Sequence, residues 1–453
     1  MTSEMLKRKE DSKQSQRRTQ SISKSRTLGA KPATPTSPTS PLPPIRAAIL
    51  DHRKMDYEPD PFIDDFDEDE RVCLACLTDA GLRKAFGRSS DKEQNDCSFC
   101  GSEGRETVPA LEIQALIKNR CLDGKNEAAN ELSYCTREGG YIGRTYESHE
   151  LFESLTLHAV GDEFYAALEK KLNVWSLFCN WDHDMPQPTE QWRYGWQGFV
   201  DTVKHKCRFF FGEHMHETRD EFDHTEISPN DFLRNHVPQG IERLQAVQTL
   251  PAGTIFYRCR ISEPNTPVED MSQIGPRPAT DSENSNRFSP PGIVMFYAGD
   301  TQEISAVEVG WPDSSSCDGN VLHTGKLRTM TDLTVLDFTN LAYPAGNFDP
   351  DWLDDYHIAQ FFREFIRDLS APVLDQRKPL DYVPTQVLCE YFRFYGAKSG
   401  GKWRKLDGIR YPSSHDGTPC YVFFWDNELA REKLQLESMA AKPSPRPARP
   451  STS

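Results

Sequence analysis

The chain has no apolar run approaching about 20 residues, so no segment has the length and composition of a membrane-spanning helix. Its N-terminus is polar and lacks the apolar centre of a secretory signal, which predicts an intracellular, cytoplasmic protein. Positive charge is in deficit. The formal net charge of -16 argues against a general affinity for nucleic-acid phosphates. Apolar residues are scarce as well, at 37% and alongside 32 prolines, so part of the 453 residues is expected to stay unfolded. No internal repeat is visible. Cysteine is not lacking. In a reducing compartment the 12 cysteines read as thiols or metal ligands rather than a disulfide framework.

Composition divides the chain. Residues 1–68 read as a disordered tether: a basic run (KRKEDSKQSQRRTQSISKSR), a Pro/Ser/Thr run (KPATPTSPTSPLPPI) and an acidic run (DYEPDPFIDDFDEDE). Residues 69–104 read as a zinc-binding module and 105–230 as a helical domain. Within the latter, LFESLTLHAVGDEFYAALEKKL repeats apolar residues at three and four, as one amphipathic helix would. Trp192, Trp196, Phe199, Val203 and Cys207 form a stripe that reads as core. From 231 to 433 the runs TIFYRCRI, IVMFYAG, LTVLDF and CYVFFW alternate with helical HIAQFFREFIRDL and PTQVLCEYFRF, which predicts a mixed α/β domain. Residues 434–453 read as a disordered tail.

Cys73-x-x-Cys76 and Cys97-x-x-Cys100 stand 20 residues apart. Each pair offers two thiolates from one tight turn, and together they suit a closed, structural Cys₄ zinc site. A redox dithiol is the competing reading. Two R-x-x-x-x-H matches, Arg144 to His149 and Arg219 to His224, share the spacing of a ribonuclease motif. The second lies in the acidic HETRDEFDHTE, which would repel RNA.

A set of polar residues is spread over the second half at the edges of apolar patterns. Ile304, Val307, Glu308 and Trp311 fall on one helical face, with Asp300 as cap, so Glu308 stands in an apolar stripe. A carboxylate there is costly unless paired or used. Tyr297 closes the strand-like run from Ile293 to Ala298, where a ring can stack on a base. Arg258 and Arg287 can fork onto a pyrophosphate. Ser413 follows the strand Ile409 to Tyr411 and can bond a ribose or phosphate, with Ser414 one place on. Taken singly, the arginines read as surface residues, Tyr297 as core and Ser413 as a turn cap. Arg260, Arg277 and Arg410 are further cations in the region.

The order of these pieces resembles the RES domain. The carrying motifs are Tyr257-Arg258, Arg287 before the run Gly292 to Ala298, Ala306-Val307-Glu308, Thr385-Gln386 to Glu390, and Asp407 to Ser413. Cys420 falls where that family commonly has asparagine. The CxxC pairs and the pattern from Trp196 to Phe209 resemble the HEPN-type domain that precedes some RES domains. The resemblance implies an α+β, ADP-ribosyltransferase-like fold and an enzyme that degrades NAD at its nicotinamide–ribose bond with water or phosphate as acceptor. Many such proteins are toxins or defence effectors restrained by an antitoxin or regulatory protein. On this reading Glu308, Arg258 and Ser413 are catalytic. Arg287, Tyr297 and Tyr257 bind substrate, and Arg258, Arg287, Tyr297, Glu308 and Ser413 should surround one cavity. ADP-ribosyl transfer to a macromolecule, a ribonuclease, and a non-enzymatic zinc and helix interaction protein are the alternatives.

Overall fold

Eight strands from the second half join into one mixed sheet. They are β1 (Val247–Leu250), β2 (Ile255–Ser262), β3 (Phe296–Gly299), β4 (Val321–Thr329), β5 (Leu333–Asp337), β6 (Gly408–Pro412), β7 (Pro419–Phe423) and β8 (Leu434–Pro443). Their order is β8-β4-β2-β3-β7-β6-β5-β1. All neighbours are antiparallel except β5 and β6, which run parallel. This computed structural model describes residues 65–155, 162–172, 176–180, 187–209 and 227–445. The predicted tether therefore lies almost wholly outside the described residues, as does the tail beyond 445.

Both faces of the sheet are apolar, so its central strands lack the half-polar alternation of a solvated sheet. Cys420 and Val422 of β7 pack with Ile409, Leu336 and the helices. Tyr421 and Phe423 point the other way, into a second cluster with Phe256, Leu327, Val335 and Trp425. The rings of Phe423 and Trp425 stack there at 4.3 Å.

Two described segments depart from the expected tether and tail. Phe66 is buried against Phe99 and Phe164, so packing begins before residue 69. The region read as a tail from 434 forms β8, which pairs with β4 from Thr329 back to Val321. Its low apolar content disguised it, because an edge strand needs backbone partners more than buried side chains.

The first half is less helical than its sequence suggests. Strands at Arg71–Cys73, Glu93–Asn95 and Arg105–Pro109 form a small sheet beside α1 (Ala80–Gly87) and α2 (Ala110–Cys121). A second small sheet joins Lys125–Glu127, Leu177–Asn180 and Tyr146–Glu147. The residues read as one long amphipathic helix fall in two, Ser148–Ser154 and Asp162–Leu172. Next comes α3 (Pro188–Asp201), opened by a capping box and ending in a π turn, Thr202–Lys206.

The aromatic stripe on α3 is core, and that core is shared with the second half. Trp192, Trp196, Phe199 and Val203 are buried with residues of α4 (Val237–Arg243), α6 (Tyr356–Ser370) and α7 (Val383–Tyr395). A short helix, α5 (Gln302–Glu308), lies between α4 and α6 in the chain. Trp196 meets Phe365 edge-on at 5.0 Å. Gly240 of α4 lets Phe362 of α6 come close: a Cβ at 240 would lie 2.0 Å from its ring. Residues 187–209 and 227–445 therefore pack into one interior, and no division at 230 separates two cores.

Candidate active site

β2 and β3 pair at a single position, Tyr257 with Gly299, and then part. The apolar run from Ile293 becomes a strand only at Phe296, where its pairing with Phe423 of β7 begins. Arg258 fills the split. Its Nε donates to the Ile274 carbonyl at 2.6 Å, and its Nη1 donates to the Tyr297 carbonyl. The side chain thus supplies the donor that a neighbouring strand would otherwise provide. Its guanidinium lies 4.8 Å from the Phe296 ring centroid. Burial, reinforced by Arg260 nearby, lowers its pKa to about 10, which leaves it charged at neutral pH.

Arg287 comes from the loop before β3. Its Nη1 donates to the Leu369 carbonyl at 2.7 Å, and its guanidinium lies 5.3 Å from the Tyr382 ring. The loop is pinned from α7. Thr385 Oγ1 donates to the Arg287 carbonyl, and Gln386 Nε2 donates to the Asn286 carbonyl at 2.8 Å. The Thr385-Gln386 pair in the sequence therefore holds the arginine-bearing loop. Tyr297 exchanges a hydrogen bond with Ser289 at 2.9 Å across the turn, and burial raises its phenol pKa.

Glu308 is the last residue of α5, and its setting differs from the expected stripe. Thr301 caps the helix, while Asp300 accepts a hydrogen bond from Tyr421 at 2.7 Å. The helix stops before Gly310, which has φ 82°, so Trp311 cannot share its face. Ile304 and Ser305 are buried, whereas Val307 and Glu308 are exposed. The carboxylate nevertheless has a fixed position. Ser413 Oγ donates to Glu308 Oε1 at 2.6 Å and accepts from the His415 N–H at 3.2 Å. Cys420 Sγ stands 3.8 Å from the same oxygen. Ser413, which is 4% exposed, is the hydroxyl that touches the carboxylate, while Ser414 lines the cavity.

Tyr257, Arg258, Arg287, Tyr297 and Glu308 line one cavity of about 580 Å³. That volume suits a small-molecule ligand. Tyr411 escaped the sequence reading as a site residue, and Arg277 entered it only as a further cation in the region. Tyr411 is buried on the cavity wall, its phenol pKa raised by burial and by Cys420 and Glu308. Arg277 lines the cavity as well. Among the described residues, Arg258, Arg260, Arg277 and Arg287 have no carboxylate within ion-pair distance. Arg410, by contrast, pairs with Asp337 at 3.0 Å. Arg258, Arg277 and Arg287 thus bring three guanidiniums without ion-pair partners to the cavity wall, an arrangement suited to an anion.

The four motif cysteines gather at one point. Their Sγ atoms lie within 4.8 Å of one another, with Cys73–Cys76 at 3.5 Å, Cys73–Cys100 at 3.7 Å and Cys76–Cys97 at 4.0 Å. A metal–sulfur tetrahedron with bonds near 2.3 Å has edges of about 3.8 Å, so the donor set fits a tetrahedral ion. Of the R-x-x-x-x-H residues, the described pair Arg144 and His149 forms no comparable site. Arg144 stacks on Tyr146 at 5.0 Å, and His149 pairs with Glu147 at 3.2 Å. Arg219 and His224 lie outside the described residues.

Comparison with protein-family models matches residues 90–217 to HEPN/RES N-terminal domain 1 and residues 255–442 to the RES domain. Residues 255–442 are a RES domain. This segment contains both arginines, Tyr297, Glu308 and Ser413. A chain from the crystal structure of the M. tuberculosis MbcT-MbcA toxin-antitoxin complex aligns at 15% identity. The alignment covers 47% of this chain and 94% of that one, with a TM-score of 0.27. No curated protein matches. Among the described residues, no helix is long and apolar enough to cross a membrane.

Proposed function

We propose that the RES domain of this protein degrades NAD by cleaving the bond between nicotinamide and ribose. The observation that carries the reading is a carboxylate, Glu308, fixed by Ser413 on the wall of a cavity that Arg258, Arg277 and Arg287 also line without ion-pair partners. A dinucleotide brings what such a cavity lacks: a pyrophosphate for guanidiniums, and flat rings for Tyr297 and Tyr411. Arg258 and Arg287 would bind the pyrophosphate and hold the substrate in register. The resident carboxylate would then face the ribose as its C1–nitrogen bond breaks. Nicotinamide departs with the bonding electrons, and the ribose carbon gains oxocarbenium character, which a nearby negative charge stabilises. An oxygen of water or phosphate completes the substitution and loses its proton to solvent. The products are nicotinamide with ADP-ribose or its 1-phosphate. The toxin context of the MbcT-MbcA complex is consistent with such an activity and with a restraining partner. Zinc is the ion we assign to the four cysteines, in a structural role with no open coordination position.

The test follows NAD and its products by mass spectrometry, with and without phosphate. The expected result is nicotinamide release by the wild type and a loss of about 100-fold or more in Glu308→Gln. Full consumption by Glu308→Gln would overturn the role of the carboxylate. Radiolabel from NAD appearing on protein or nucleic acid, in place of free products, would move the assignment to ADP-ribosyl transfer.

A further inference from the structure

Arg287 has two supports, and each is gripped from the N-terminal half. The first is the Leu369 carbonyl in the last turn of α6. Its neighbour Asp368 accepts the Trp196 indole N–H at 3.2 Å. One turn earlier Glu364 takes a two-pronged bond from Arg193, both arms at 2.8 Å. The second support is the Tyr382 ring. Its neighbour Asp381 accepts from Lys204 Nζ at 2.9 Å. Arg193 and Trp196 lie on α3, and Lys204 projects from the π turn that follows it. The extra residue in that turn resets the helical phase, which changes the direction of the side chains beyond it.

The Arg193–Glu364 pair is more than a third exposed, but the contacts of Lys204 and Trp196 are sheltered. Lys204 and Asp381 are 18% and 17% exposed, and Trp196 is buried. Neither Trp196 nor Lys204 lines the cavity, so neither can touch a ligand there. We propose that α3 and its π turn position Arg287, so that the N-terminal half sets the affinity of the RES cavity for its anionic substrate. Trp196 and Lys204 are the positioning residues, acting through Asp368 and Asp381. The inference rests on the reading of the cavity as an NAD site.

The experiment measures KM and kcat for NAD in the full chain carrying Trp196→Phe, Lys204→Met or both. Phenylalanine removes the N–H together with part of the buried indole, so Lys204→Met is the variant that isolates a polar contact, and Lys204→Arg should restore the wild-type KM. Positioning through a packed network predicts a KM raised roughly 3- to 30-fold with kcat held. A merely structural role would instead lower the active fraction, reducing apparent kcat at constant KM. In an Arg287→Ala background, Lys204→Met should add nothing, because the group it acts through is gone. Arg88→Ala, which removes a contact with Asp351 remote from both supports, should leave KM unchanged. A KM within twofold of wild type in the folded double variant, or losses that add to Arg287→Ala, overturns the proposal. A wild type that neither consumes nor binds NAD overturns the functional reading instead. Positioning is then read by titrating inorganic pyrophosphate: a dissociation constant weakened by the same factor supports it, and an unchanged one refutes it.

Discussion

Replacing Ser413 with alanine removes one hydroxyl and the two hydrogen bonds it makes. That hydroxyl donates to Glu308 at 2.6 Å and accepts from the His415 N–H at 3.2 Å. A hydrogen bond to a charged group is worth about 1.5–3 kcal/mol. Glu308 is exposed on the cavity side, so water can replace the lost donor, and folding should weaken by only about 1 kcal/mol. Catalysis has no such compensation, since a hydrated carboxylate is free to leave its position. With about 1.4 kcal/mol per tenfold in rate, the loss converts to roughly 10- to 100-fold in kcat. The arginines remain, so KM should change little. Nicotinamide release under saturating NAD is the assay, with Ser414→Ala beside it. Ser414 lines the same cavity, and no hydrogen bond joins it to Glu308. A kcat for Ser413→Ala within threefold of wild type, or a larger defect in Ser414→Ala, would refute the reasoning.

Gly240→Ala should destabilise the protein by about 1–3 kcal/mol, because the new methyl meets the buried Phe362 ring; an unchanged thermal midpoint would contradict this. Asp381 should contribute stability that acid removes. The Arg377 guanidinium, aided by Lys204 and opposed by partial burial, holds its carboxyl down at about 2. A depressed folded pKa gives stability that is complete above the unfolded value near 3.9 and lost as pH falls towards about 2. The gap in urea midpoint between wild type and Asp381→Asn should therefore close across that window, and a pH-independent gap would count against it. The protein should carry one tetrahedral metal ion per chain. Cys76→Ser should lose the ion by elemental analysis and melt earlier, whereas metal-free protein with an unaltered melt would exclude the site.

Much of the lining of the candidate site was legible because its motifs are local. Tyr257-Arg258 lies within strand β2, Glu308 closes its own short helix, and Asp407 to Ser413 spans strand β6. The Cys₄ cluster was legible for the same reason, since two tight turns carry its ligands. What the pattern hid depends on sheet register and on distant packing. The stripe through Glu308 failed because a left-handed glycine ends the helix first. Tyr411 reads as an ordinary strand residue until β6 and β7 pair it with Cys420. Arg277 has no periodic signature at all. The grip of α3 on the RES segment joins residues about 170 positions apart, beyond the reach of periodicity. Its aromatic stripe announced burial without naming the partner.

The outermost strand has a practical bearing on handling the molecule. β8 covers all nine residues of β4. Trimming the chain before Leu434 would leave Val321–Thr329 as a bare, flat rim beside the arginine-bearing strand β2, inviting intermolecular strand addition. Such shortened protein should precipitate or form strand-paired oligomers even with every cavity residue intact, and a loss of turnover after that trimming would reflect an unsealed sheet rather than missing chemistry.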